Sequence, residues 1–167
     1  SSIFAPGHRW GTFWSVSAGW NINKEKWFNA KWVNLLKLKL SYGEQGNDNL
    51  SSSDFPYQPW SDFYATSYNE GTDEYSSQMV YKGNSELTWE KSGEWNVGVD
   101  FALFNNRLTG SFEYFHKKTR DLLYWKTLPL SSGISVVDFP ANVGAMTNKG
   151  VEFSLSGDII RNKELTW

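Results

Sequence analysis

The sequence predicts an all-β chain: an antiparallel segment of a transmembrane β-barrel, about five complete strands, with long loops at one end. Three observations predict it. Five segments alternate, at 14–22, 36–43, 94–103, 108–115 and 151–159. The connections between them alternate between short and long. One tight turn, placed without reference to the alternation, brings matching faces of two segments together.

The alternation sorts residues onto two faces, because successive side chains of a strand point to opposite sides. One parity reads Trp14, Val16, Ala18, Trp20, Ile22, then Leu36, Leu38, Leu40, Tyr42. It continues through Trp95, Val97, Val99, Phe101, Leu103, then Leu108, Gly110, Phe112, Tyr114, then Val151, Phe153, Leu155, Gly157, Ile159. No charge falls on it. The other parity carries Lys37, Lys39, Glu94, Asp100, Glu113, Glu152 and Asp158 among serines, glycines and asparagines. A sheet so divided separates hydrocarbon from water.

The pair Asn105–Asn106 supplies the turn, since Asn tolerates positive φ. A two-residue turn there sets Phe101 opposite Gly110, Val99 opposite Phe112 and Val97 opposite Tyr114. It also sets Gly98 opposite Glu113. Apolar parity meets apolar parity, and a one-residue slip would destroy the match. Stretches 44–85 and 118–149 are the long connections, and 23–35, 105–106 and 160–164 the short ones. Long loops at one end and short turns at the other are the asymmetry of outer-membrane barrels, extracellular and periplasmic in turn. Trp14, Trp20, Tyr42, Trp95 and Tyr114 fall near segment ends, where interfacial aromatic belts lie.

Composition narrows the class. Aromatics make up 17% of the residues, with ten Trp, yet the mean hydropathy is negative. No run approaches the ~18 apolar residues of a membrane helix. Two classes satisfy both facts: an aromatic-rich soluble β domain that binds sugars, and a transmembrane barrel. A net charge of −2 offers no field for nucleic acid. The absence of Cys excludes disulfide and thiolate-metal frameworks. The chain opens on Ser1 and ends at Trp167 inside a segment that reads as a starting strand, so it is expected to be a piece of a longer one.

Several stretches resemble a known family. Arg9-Trp10-Gly11-Thr12-Phe13 with Ser15-Val16-Ser17-Ala18-Gly19-Trp20 looks like the barrel of the SusC/RagA-type TonB-dependent outer-membrane transporters of Bacteroidetes. Leu36-Lys37-Leu38-Lys39-Leu40-Ser41-Tyr42-Gly43-Glu44-Gln45-Gly46-Asn47 is similar to the family's next strand and its Gly-Asn loop. Leu87-Thr88-Trp89-Glu90-Lys91-Ser92 with Asn96-Val97-Gly98-Val99-Asp100, and Asn142 through Glu152, resemble two further segments, in the family's order. The resemblance covers most of the chain, making 1–167 part of one barrel domain.

The resemblance implies a 22-stranded barrel around a plug, multi-pass in the bacterial outer membrane. It implies import of glycans or oligopeptides, energy from TonB, and a SusD-like surface lipoprotein as lid. The plug, the TonB box and the closing C-terminal strands are not in this sequence. Two other functions stay open: a barrel of the same family that serves as a structural or assembly partner without import, and the soluble carbohydrate-binding domain.

No catalytic or cofactor chemistry is expected. His8 and His116 have no partner at metal-ligand spacing. Asp100 and Glu113 could suggest a glycosidase pair, but both fall on the polar parity, where a wet lumen explains them. Asn47-Asp48-Asn49 and Asp54 offer oxygens at a spacing that fits no defined calcium loop. Binding is expected on the loops. Tyr57, Trp60, Phe63 and Tyr64 lie in an aromatic-dense stretch stiffened by Pro56 and Pro59, suited to stacking on sugars or on the lid. Ile134, Val136, Val137 and Phe139 give the last loop an apolar tip of the kind that marks an interface.

Overall fold

The computed structural model describes residues 1–50, 58–129, 131 and 138–158. Nine strands are described: β1 (Ser15–Asn21), β2 (Val33–Asn47), β3 (Phe63–Asn69), β4 (Glu74–Tyr81), β5 (Glu90–Leu103), β6 (Leu108–Arg120), β7 (Leu123–Thr127), β8 (Asp138–Asn142) and β9 (Ala145–Gly157). A 3-10 turn, Ile22–Lys24, follows β1. One sheet has the order β1-β2-β5-β6-β9, while β3-β4 and β7-β8 are separate two-stranded ribbons. The chain forms two compact units. One holds 13–45, 93–118 and 147–167, the other 1–12, 46–92 and 119–146.

The five expected strands are the five of the large sheet. Their registers join like faces. Val16 lies opposite Tyr42, Ala18 opposite Leu40 and Trp20 opposite Leu38, while Ser17 faces Ser41 and Gly19 faces Lys39. Between β5 and β6, a Cβ added to Gly110 would lie 2.5 Å from the Phe101 ring, and one on Gly98 would lie 3.0 Å from Glu113 Cγ. The contacts agree with the register expected from the turn. Asn105 and Asn106 adopt φ of 57° and 63°, the positive values expected of them, but the turn is wider than the two-residue one expected: it runs from Phe104 to Arg107, between β5 and β6, and Arg107 N–H donates to Phe104 C=O at 3.2 Å.

Phe104 also takes positive φ, 55°, an uncommon state for a bulky residue. Two contacts hold it there: its N–H donates to Trp32 C=O at 2.8 Å, and its ring stacks on Trp32 at 5.7 Å. Asn106 N–H donates to Asn34 Oδ1, and Asp158 N–H to Arg107 C=O at 2.8 Å. The short connections are thus tied to their neighbouring strands by specific bonds.

The apolar parity is uncovered. Val16, Leu40, Phe112, Val151, Phe153 and Leu155 are all exposed, Phe153 at 66%. No second sheet lies on it among the described residues, as a sandwich would demand. Rings edge this face at both strand ends. Trp14 packs on Tyr42 at 5.0 Å, and Tyr42 on Trp95 at 4.5 Å. At the other end Trp20, Trp27 and Phe28 form a run with centroids 6.4 and 6.1 Å apart, and Trp32 pairs with Phe104.

The polar parity is knit across three strands. Lys39 of β2 reaches Asp100 of β5 at 2.9 Å and also pairs with Glu113 of β6. Gly98 makes room, because a Cβ there would meet Lys39 Cε at 3.1 Å. The two carboxylates that could suggest a glycosidase pair therefore share one ammonium.

The strands run longer than the alternation indicates. β2 starts at Val33 and reaches Asn47, β6 reaches Arg120, and β9 begins at Ala145. The long connections are also not structureless, since each holds a ribbon. Phe63–Asn69 and Glu74–Tyr81 give little alternation to read, because small and hydroxyl side chains fill both parities.

Candidate binding surface on the loops

The loop unit holds nearly all of the fully buried apolar side chains described. Phe4, Ala5, Tyr81 and Leu87 are buried in it, with Pro140. Phe4 packs on Trp89 at 5.4 Å, Phe63 on Tyr81 at 5.8 Å, and Tyr81 edge-on to Trp125 at 6.5 Å. Tyr81 donates to Pro59 C=O at 3.2 Å. Burial pushes its phenol up to about 12, with the Asp62 charge adding to the effect.

Side-chain amides and one carboxylate tie the loops to each other. Asn142 of β8 donates to Thr88 C=O at 2.9 Å and to Asp121 C=O at 2.8 Å, and accepts from Thr88 N–H at 3.0 Å. Asn84 donates to Pro140 C=O at 2.9 Å. Glu90, at the start of β5, accepts from Leu123 N–H at 3.1 Å and from Asn47 Nδ2 at 3.3 Å. Asn84, Glu90 and Asn142 thus tie together loop segments that are far apart in sequence, mostly through main-chain groups.

The base of the β3–β4 ribbon is fixed by charge. Lys82 Nζ lies 2.9 and 3.1 Å from the Asp62 oxygens, and Gly83 N–H donates to Asp62 Oδ1 at 2.8 Å. The Lys82 hydrogen bond, helped by Gly83 N–H, holds the Asp62 carboxyl below the usual range. Gly83 is required there, since a Cβ would come within 2.5 Å of the Ser61 backbone.

Above that base the ribbon presents tyrosines. The register sets Tyr64 opposite Met79, Thr66 opposite Ser77 and Tyr68 opposite Tyr75, so these six share one face. Tyr64 is 58% exposed and Tyr75 78%. Tyr68 and Tyr75 lie 4.9 Å apart, tilted by 42°. Tyr68 donates to Asp73, which raises its phenol above the ordinary value. At the tip Asn69 accepts from Gly71 N–H at 3.0 Å, an Asx turn that sets the reversal.

The structure separates the expected binding residues. Tyr64 stands on the exposed tyrosine face. Phe63, the preceding residue, turns into the loop core against Tyr81. Trp60 is partly covered, its indole N–H buried without an acceptor among the described residues. Phe139 pairs with Lys126 across β7–β8 and is partly covered. Tyr57, Ile134, Val136 and Val137 lie outside the described residues. The exposed face also carries Tyr68 and Tyr75, which are not among the residues expected from the sequence. Their signal was the spacing Tyr64, Tyr68 and then Tyr75 around the Asn69–Glu74 turn.

The architecture has a counterpart among known proteins. A family model described as TonB dependent receptor-like, beta-barrel matches residues 2–167. The chain belongs to the TonB-dependent receptor β-barrel family. The TonB-dependent receptor SusC of Bacteroides thetaiotaomicron is 37% identical over 173 residues, covering 100% of this chain and 17% of SusC. TonB-dependent receptor P39 of Formosa agariphila is 36% identical over 172 residues, covering 100% of this chain and 15% of P39. The RagAB peptide importer in its open-open state superposes with a TM-score of 0.79 at 31% identity, over 99% of this chain and 17% of that one. The closed-closed state gives 0.77 at 32% identity, over 97% and 17%. This TonB-dependent receptor segment therefore spans 17% of the length of SusC.

Proposed function

We propose that this segment belongs to an active transporter of the bacterial outer membrane, one that imports glycans or oligopeptides with TonB energy and a SusD-like surface lipoprotein. The observation that carries the reading is the uncovered apolar sheet face edged by rings at both ends. From Trp95 to Phe104 the strand rises about 30 Å at ~3.3 Å per residue. At the tilt of an outer-membrane barrel that projects to roughly 21–25 Å, the height of the apolar band such barrels expose. The face therefore suits outer-membrane lipid. A soluble sandwich would bury it.

Membership of the receptor family and the likeness to SusC and the RagAB importer support import over a purely structural role. In this reading the loop unit faces the exterior, and its rings meet solute or lid. Phe139 and, in the same stretch of sequence, Ile134, Val136 and Val137 are candidates for the lid, and Tyr57, Trp60 and Tyr64 for solute or lid. Phe63 would contribute by holding the ribbon in place.

The test uses the full-length gene. Deleting it should abolish energy-dependent uptake of the solute, and collapsing the proton-motive force should do the same in the parent. A barrel that assembles normally while its deletion leaves uptake of every offered glycan and peptide unchanged would favour the structural-partner reading.

A further inference from the structure

We propose that the tyrosine face of the β3–β4 ribbon is a platform for a neutral oligosaccharide and that it rejects polyanionic glycans. The inference rests on the transporter reading and narrows it to one class of ligand.

Side selection is the first argument. A ribbon needs only one face to pack on its own unit, and here Phe63 and Tyr81 do so from its base. Tyr64, Tyr68 and Tyr75 are 58, 47 and 78% exposed on the other face. The Tyr68–Tyr75 contact and the Tyr68–Asp73 bond steady the ribbon, but Tyr64 and most of the Tyr75 ring stay open to solvent. From Tyr64 to Tyr68 the face extends about 13 Å along the strand, room for a short run of sugar rings. Thr66 and Ser77 stand opposite each other between the rings and supply hydroxyls. Alternating flat apolar surface and hydroxyls match a pyranose, which offers C–H faces and an equatorial rim of hydroxyls. Tyr68 is held in place through its bond to Asp73, which lowers the ordering cost of binding.

Charge decides the class. From Phe63 to Tyr81 there is no Lys, Arg or His, while the tip carries Glu70, Asp73 and Glu74. The adjacent cation, Lys82, is already paired with Asp62. Glu74, opposite Asn69, lies on the other face, so the charges nearest the rings are the turn carboxylates Glu70 and Asp73, and like charges in apposition disfavour a uronate or sulfate chain laid along this face. A peptide's carboxylates meet the same obstacle. A protein partner would use the same rings and Met79, but covered interface cores are depleted in the Ser and acidic residues that accompany them here.

The test uses the detergent-purified full-length protein against a panel of neutral oligosaccharides, uronate- or sulfate-bearing oligosaccharides, and a lysine-rich peptide. At least one neutral oligosaccharide should bind, with little salt dependence, and no polyanion should. Tyr64→Ala with Tyr75→Ala should weaken that binding roughly 10-fold or more, as removal of aromatic anchors does, with the thermal unfolding of the protein unchanged. Tyr75→Phe keeps the ring and should keep the binding. Glu70→Lys should admit polyanions in a salt-sensitive way.

Failure of every neutral sugar to bind, tighter binding of polyanions by the parent, salt-sensitive binding of the lysine-rich peptide alone, or full affinity in the double tyrosine variant would each overturn the proposal. The transporter reading is judged separately. Energy-dependent uptake that survives the tyrosine changes with the same KM defeats only the platform. Platform binding without energy-dependent uptake defeats the import reading and leaves the platform standing.

Discussion

An arginine at Val99 should cost this protein its membrane fold, whereas one at Asn96 should not. Val99 lies on the uncovered apolar parity of β5, four residues from Trp95 and five from Phe104, the rings that edge that face. At ~3.3 Å per residue it stands about 13 Å along the strand from one ring and about 17 Å from the other. Tilt brings these depths to roughly 10 and 12 Å, so the position is near the midplane. An Arg there costs roughly 2–4 kcal/mol, which corresponds to about 30- to 800-fold in the folding equilibrium. Asn96 lies on the polar parity and donates to Glu94 Oε1 at 3.1 Å. An Arg in its place keeps a carboxylate beside it and stays in water. The assay is reversible urea unfolding of the full-length protein in lipid vesicles, followed by tryptophan fluorescence, with heat-modified gel mobility as a check on assembly. Equal losses for Val99→Arg and Asn96→Arg would refute the division of the sheet into a lipid face and a wet face.

Four other expectations follow from specific contacts. Gly110→Ala should destabilise the sheet by about 1–3 kcal/mol through overpacking. Adding Phe101→Ala should rescue it only in part, because the new Cβ still meets the Ser154 carbonyl at 2.6 Å; full rescue in vesicle unfolding would count against the register. Asn142→Ala removes three hydrogen bonds and leaves main-chain partners unmet, a loss of about 1–3 kcal/mol for each group that stays buried. Limited proteolysis should then open both loops together while barrel mobility on gels is unchanged. The Asp62–Lys82 contact should stabilise the loop base above the unfolded carboxylate value, near pH 4. The stabilisation should fade as pH falls through the lowered folded value. Protease sensitivity near residues 61–83 should therefore rise in acid, and Asp62→Asn should raise it at neutral pH and flatten the response. A cysteine at position 75 should react with a membrane-impermeant reagent on intact cells and one at 106 should not; the reverse pattern would invert the proposed topology.

Much of the sheet was legible because its physics is local. A strand that borders lipid on one side and water on the other must alternate with period two, and every charged residue on the segments obeys that parity. The β5–β6 register was legible because Asn105 and Asn106 tolerate the positive φ of a tight turn, and the turn then dictates each pairing above it. Phe101 over Gly110 follows from that alone. Strand ends were less legible. Val33–Leu35 and Glu44–Asn47 extend β2 beyond the alternating segment, which alternation cannot signal.

The sequence by itself determined the all-β class, the five strands, the two faces and the place of the tight turn, since each depends on residues adjacent in the chain. It also offered the loop rings as candidates for binding. Only the tertiary structure decided which of those rings stand in water. Phe63 and Tyr64 are neighbouring aromatic rings, yet one packs on Tyr81 and the other stands in water. That choice depends on the register of β3 with β4 and on which face the loop core covers. The ties through Asn84, Glu90 and Asn142 were hidden for the same reason: each joins main-chain groups that only the folded loops bring within hydrogen-bond reach.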